Sequence, residues 1–493
     1  MEQPPENTGF WLALLDIHPF HRRVHLWNGY LGRRLPSRVK RPPSPPQNPL
    51  RDLDNQIRAS MGVPPAGGWG LYVKPPDGGW PELDEAEVER LEQIAVTVGG
   101  HPQLIQQDGI NVGYMNFEGK EFAANVDFSE LTLVGANFRR SVVIGDGEET
   151  VRFSGARFFA PAHFTGARFD VDVEFAKTHF TDSAHFGDVD FNGEAEFQRT
   201  IFEQRVIFDR ATFADRALFR ETAFLASPSP EYFEDETGIH IDWFSQMECL
   251  VSFIDVEFGD VALFPGAQFG GTAELGGEPR RWVDFSGSKF QSQTSFTDAI
   301  FAGPPGFFET QLHKDTDFHD VTWRDPAEPY TSYNIRAWEQ LELIMSELEK
   351  PRDRHRFFRK RMRALRHQPG NRLLTTLNWL FEKIADYGWG AKQAALSWLI
   401  HWLGGGLVLL LASAPFTDSP ARLVLPAIAT SFSNAHAFLG LTSENGYLEA
   451  YRDVTEASLD QWVMQLVGTG QAVLGPILLF LLLLTLRNRF RLG

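Results

Sequence analysis

The polar residues most at odds with their surroundings in this chain are His401 and Gln471, each inside an apolar run, and Thr430, Ser431, Ser433, Asn434 and His436, grouped in the middle of another. Polar groups at membrane depth usually face a bundle interior or water, so these seven are candidates to line a pore or to hydrogen-bond one helix to another. A second set is cationic. Arg354, Arg359, Lys360 and Arg363 precede the first apolar run, while Arg487, Arg489 and Arg491 follow the last, as suits side chains that meet lipid headgroups. Catalysis finds no comparable footing. The sequence contains no phosphate loop, no dinucleotide glycine fingerprint after a strand and no His-Glu-x-x-His. Its single cysteine, Cys249, excludes an intrachain disulfide framework and a zinc ribbon. Acidic residues are scattered, and no pair stands out as general acid and base. Neither an enzyme nor a bound cofactor or metal is expected.

The elements that must hold these residues begin with two apolar stretches, 394–414 and 463–486, each long enough to cross a hydrocarbon core of ~30 Å. Between them lie only Arg422 and Arg452 against Asp418, Glu444, Glu449, Asp453, Glu456 and Asp460, whereas Lys383, Lys392 and the arginine clusters stand outside. The positive-inside rule then places both ends of the chain in the cytoplasm. The third apolar stretch, 422–441, carries the five polar candidates. An even number of crossings leaves it re-entrant or interfacial, and a re-entrant segment implies a pore-like homo-oligomer, because backbone at that depth must be covered by protein or water.

The body of the chain is dominated by phenylalanine, with 42 Phe against 9 Tyr and 7 Met. From Phe153 to Phe224 the Phe positions alternate strictly between steps of five and six, with a small or β-branched residue two places before each, such as Ala162, Val173 and Thr178. Weaker stretches run through Phe117–Phe138 and again from Phe253 to Trp323. On a helix, positions five apart would lie about 140° apart and leave no polar face, and Gly155, Gly166, Gly187 and Gly193 disfavour helix further. Extended structure accounts for the pattern, because residues i−2 and i share one side of a strand while their polar neighbours take the other.

With that pattern of residues the chain resembles the pentapeptide-repeat family over roughly 113–324. The resemblance implies a right-handed quadrilateral β-helix with the Phe and the small residue pointing inward, here with one extra residue at alternate corners. About eight coils and a rod of roughly 40 Å follow from the strand spacing. Some family members resemble DNA in width and charge and bind type II topoisomerases. The net charge of −18 permits such a role and disfavours nucleic acid as a partner. The C-terminal portion, including Asp386-Tyr387-Gly388 and 486–491, is similar to bacterial pentapeptide-repeat membrane proteins of undefined activity, which implies the bacterial inner membrane.

The expected organisation is an irregular N-terminal cap region (1–110), a mainly β solenoid (111–325) with an insertion at 225–250, a basic helical linker (330–390) and a membrane domain with two transmembrane helices (391–493). An amphipathic helix near 83–95 is expected to cover the first coil. Membrane lipid and further copies of the chain are the expected partners, and the insertion is a candidate docking loop for another protein. The overall expectation is a cytoplasmic interaction or sensor rod joined to an oligomeric pore, the alternative being a membrane-tethered scaffold.

Overall fold

The computed structural model describes residues 14, 20–34, 81–97, 104–107, 110–124, 126–133, 135–145, 149–225, 231–235, 238–242, 249–270, 281–325, 332–367, 372–413, 420–436 and 461–490. It forms two compact units, Met1–Leu341 and Glu342–Gly493.

The first unit is a four-sided β-helix. Successive strands Ala162–His163, Arg168–Phe169, Asp172–Glu174 and His179–Phe180 fall in four different sheets, and Ala184–His185 returns to the first. The sheets hold eight, seven, six and eight described strands, parallel throughout except for Leu104–Gln107, which pairs antiparallel with Ile110–Asn116. Phe169 pairs with Phe191 and Phe191 with Phe213, so one coil takes 22 residues. This is two five-residue and two six-residue steps. The five-residue corners turn through a residue of positive φ two places after Phe, as at Gly155 (70°), Gly166 (68°), Lys177 (59°), Arg199 (57°) and Arg210 (57°). Six-residue corners such as Asp170–Asp172 and Thr181–Ser183 have room to bend without it.

Inside, each face contributes a column of rings. Phe153, Phe175, Phe197 and Phe219 stack nearly parallel at 4.8, 5.0 and 4.9 Å, and Phe164, Phe186 and Phe208 stack at 4.8 and 4.8 Å. The two columns meet edge to face, Phe153 against Phe164 at 5.8 Å and 89°. Both arrangements suit the ring quadrupole, which explains why Phe rather than Leu fills the axis. The inward β-branched positions do more than fill space. Buried Thr178, Thr200 and Thr222 donate to the carbonyls of Phe153, Phe175 and Phe197 at 2.7, 2.6 and 2.7 Å.

Two insertions leave the register intact. Val206 pairs with Val251 across the first, which includes an antiparallel hairpin of Glu231–Asp235 with Gly238–Asp242, and Val251 pairs with Val283 across the second. The side chains of the first insertion lie outside the described residues.

The first coil is closed by a helix that periodicity did not reveal. In α1 (Phe20–Arg34), Asn28 accepts from the Thr132 amide at 3.0 Å and donates to the Glu130 carbonyl at 3.3 Å, and Trp27 Nε1 donates to the Thr132 carbonyl at 2.8 Å. Thr132–Leu133 is the terminal strand of its sheet, so Asn28 and Trp27 satisfy an open edge. The expected helix is present as α2 (Glu85–Thr97), but the edge contacts come from α1, against which α2 packs. At the other end α3 (Ser332–Glu347) buries Ala337, Trp338 and Leu341, and Tyr333 lies against Phe308.

The second unit is helical: α4 (Pro351–Arg366), α5 (Arg372–Ala385), α6 (Ala391–Ser413), α7 (Val424–Ala435) and α8 (Gln461–Phe490). The helices α6 and α8 are long and apolar enough to cross a membrane, with Leu396, Ile400, Leu407, Leu411, Leu466, Ile477, Phe480 and Leu483 all exposed. At 12 residues, α7 is about 18 Å long, short of a crossing.

Candidate functional site

The polar candidates converge where α7 packs between α6 and α8. Glycine makes the approach possible. A Cβ on Gly405 would lie 1.8 Å from Gln471 Nε2 and 2.8 Å from Ser431 Oγ, and one on Gly475 would lie 2.0 Å from the Ala435 carbonyl oxygen. Gly406 likewise admits the Ile428 backbone.

At this meeting point Gln471 Nε2 donates to Ser431 Oγ at 2.5 Å, and Ser431 Oγ donates to the Trp402 carbonyl at 2.6 Å. Asn434 Nδ2 reaches Gln471 Oε1 at 3.5 Å, and Trp402 Nε1 donates to the Ile428 carbonyl at 3.2 Å. Of the seven candidates, Ser431, Asn434 and Gln471 are thus joined directly. His436 packs beside them, stacked on Phe432 at 4.2 Å, edge-on to Trp398 at 5.5 Å, with Nδ1 on the Phe432 carbonyl at 2.8 Å. Thr430 and Ser433 are buried, and Thr430 Oγ1 and His401 Nε2 make no hydrogen bond among the described residues. The arrangement sets amide, hydroxyl and imidazole groups inside a bundle whose outer surface is rich in exposed leucine, isoleucine, valine and phenylalanine.

The basic candidates divide. Arg354 and Arg487 are exposed. Arg359 and Arg363 instead bind acidic partners, Arg359 Nη1 to Asp386 at 2.6 Å and Arg363 Nε to Glu382 at 2.7 Å, and Lys360 is buried. The side chain of Arg489 and all of Arg491 lie outside the described residues. Glu382 also takes Arg366 Nη1 at 2.5 Å. Burial alone would raise the Glu382 carboxyl, but the hydrogen bonds and charge of Arg366 and Arg363 outweigh it and hold the group below its ordinary value.

Those acidic partners frame a corner that the cationic pattern concealed. Asp386, Tyr387 and Gly388 all have positive φ (44°, 55° and 87°), a conformation costing roughly 1–3 kcal/mol for each non-glycine residue. Each is tethered: Asp386 by Arg359, the Tyr387 hydroxyl by donating to Asn378 Oδ1 at 2.6 Å, and the Gly388 carbonyl by Asn488 Nδ2 at 2.9 Å. Asn378 Nδ2 in turn donates to the Met362 carbonyl at 2.9 Å. The corner therefore ties α4, α5 and the start of α6 to the end of α8. The sequence marked Asp386-Tyr387-Gly388 by resemblance alone; the physical signal was two carboxylates, Glu382 and Asp386, four residues apart beside an arginine-rich helix.

On the rod, paired charges run from coil to coil, Arg210 with Asp188 at 2.7 Å and Arg199 with Glu221 at 2.7 Å. These pairs are solvated and contribute little stability. No cluster of three metal-ligating side chains exists among the described residues.

Residues 175–223 match the family model of pentapeptide repeats, in nine copies. No curated protein matches the chain significantly.

Proposed function

We propose that this chain, whose stacked parallel strands are a pentapeptide-repeat β-helix, is a non-enzymatic membrane protein: a cytoplasmic interaction or sensor rod coupled to an oligomeric pore or permeability effector in a bacterial inner membrane. The observation that carries the reading is α7. It is too short to cross, it is wedged between the two apolar helices, and it presents Ser431 and Asn434 to Gln471. With α6 and α8 in a bilayer, the backbone that ends α7 at Ala435 and His436 stands at membrane depth, where it is buried against α6 and α8 rather than facing lipid. A short helix that enters the bilayer without crossing it is the kind of element that lines a pore when several copies assemble. Arg487 at one end of α8 and the acidic stretch between the spans support a cytoplasmic rod and C-terminus.

Planar-bilayer recording on the purified full-length oligomer tests this. Unitary currents are expected, and Gln471→Leu and Asn434→Leu alter their size or ion preference. Electrical silence from correctly assembled protein overturns the pore reading.

A second reading, a membrane-tethered scaffold, is favoured by one fact: Gln471 and Ser431 satisfy each other, as groups that merely hold helices together would. Replacing 391–493 by an unrelated anchor then preserves activity, whereas a pore loses it.

A further inference from the structure

The helix α5 is built inside out. At about 100° per residue, Leu373, Leu377, Leu380 and Ile384 fall within roughly 60° of one another, while Glu382 lies nearly opposite. In a water-soluble packing the leucines would face inward. Here Leu373 is 64%, Leu377 51% and Leu380 38% exposed, and Leu374 beside them is 63% exposed. The side turned to the protein is the polar one, with Asn378 on the Met362 carbonyl and the Tyr387 hydroxyl, and Glu382 on Arg363 and Arg366. These contacts set the roll of the helix and leave the apolar stripe uncovered.

Its place in the unit identifies what covers that stripe. The helix ends at the 386–388 corner, from which α6 begins, and Asn488 near the end of α8 bonds to the same corner. The charged ends of both candidate spans therefore meet where α5 starts to lead away, at the level of a headgroup layer. A second copy of the chain is a poorer occupant. The stripe runs along a helix of only 14 residues, about 21 Å, and offers well under the ~800 Å² per partner that stable protein interfaces need.

We propose that α5 is an in-plane membrane-surface helix, its leucine stripe set in the headgroup–acyl boundary of a phospholipid bilayer and its polar side fastened to α4 by Asn378 and Glu382. The proposal rests on α6 and α8 spanning that bilayer. The tethered corner then links this surface helix to both spans, with Glu382 and Asp386 bound to arginines of the same helix, α4, and Asn488 of α8 bound to Gly388.

Spin labels on the full-length protein, reconstituted in vesicles of zwitterionic and anionic phospholipid, separate the possibilities. In a Cys249→Ser background, labels are placed by Leu377→Cys on the stripe, Lys383→Cys on its flank and Val408→Cys in α6. Collisions with oxygen and with a water-soluble nickel reagent report depth. The expected result is a Leu377 label about 5–10 Å below the phosphates, a shallower Lys383 label and a deep Val408 label. A water-exposed Leu377 label beside a deep Val408 label overturns the α5 proposal and leaves the spans standing. An immobile Leu377 label shielded from both reagents means that protein covers the stripe, and also overturns it. Water exposure at Val408 removes the membrane reading itself.

Discussion

Replacing Gly475 by Ala tests the packing of α7 most directly. The added Cβ would stand 2.0 Å from the Ala435 carbonyl oxygen and 2.8 Å from its carbon, both backbone atoms. Real Cβ contacts essentially never fall under 3.0 Å, so α7 or α8 must move by at least about 1 Å. A shift of that size stretches the 2.5 Å bond from Gln471 to Ser431 to the limit of hydrogen bonding. Overpacking costs about 1–3 kcal/mol and each interhelical hydrogen bond lost adds about 0.6 kcal/mol, while the gain in helix propensity offsets up to about 1 kcal/mol, so the net cost is roughly 1–3 kcal/mol. Gly470→Ala is the internal control, since nothing lies within 4 Å of its added Cβ. Replacing glycine inside a helix there gains up to about 1 kcal/mol of propensity. Thermal unfolding of the full-length protein in detergent, followed by helical circular dichroism, is expected to show Gly475→Ala melting several degrees below wild type and Gly470→Ala melting at or above it. Indistinguishable melting of the two variants would refute the close approach of α7 and α8, and with it the site.

Other consequences can be checked on the same protein. Phe175→Ala removes a ring stacked on both sides and is expected to cost about 3–5 kcal/mol, read from chemical denaturation of the β signal. At the five-residue corners Gly166→Ala is expected to cost about 1–2 kcal/mol and Lys177→Gly to recover a similar amount, so the two midpoints should move in opposite directions. Asn28→Ala leaves the Thr132 amide without its partner at the end of the sheet and is expected to cost about 1–3 kcal/mol, with loss of amide-exchange protection centred on 130–133. His163 and His185 stack on each other at 4.9 Å, and burial first, then Arg139 and Arg205 respectively, lowers each to about 4. Their folded pKa lies below the unfolded value of about 6.5, so the unfolded chain binds more protons between the two and stability falls as pH drops from about 6.5 to 4. The double variant His163→Gln with His185→Gln should flatten that part of the melting temperature against pH, and an unchanged slope would show that the two rings do not carry it.

The central β-helix was legible in the sequence because its signal is repeated. A Phe every five or six residues with a small residue two before it suits only a strand whose inward side is shared by neighbouring coils, and each repeat confirms the last. The two long apolar helices were legible for a similar reason, since length and hydropathy are additive along a chain. What the spacing of residues did not contain were relations between distant elements. Nothing in 20–34 announces that Asn28 closes a sheet edge, because the edge it serves lies more than 100 residues away. The alternating corner was visible as an extra residue, but that the shorter corner needs positive φ emerges only from the geometry of closing a coil in 22 residues.

At the candidate site the same division holds. Residue type alone marked Ser431, Asn434, His436 and Gln471 as polar groups out of place, since burying an amide in an apolar run is costly wherever it happens. Their meeting depends on Gly405 and Gly475, whose lack of a side chain matters only once two helices are brought together. The arginines of α4 read as a lipid-facing cluster because charge was counted along one helix. Folding brings Glu382 and Asp386 to them, and a carboxylate at 2.5–2.7 Å competes with any headgroup for a guanidinium. Composition and period along the chain determined the architecture of this protein; which polar groups find each other was decided by tertiary packing, because pairing depends on distances in space that chain order does not encode.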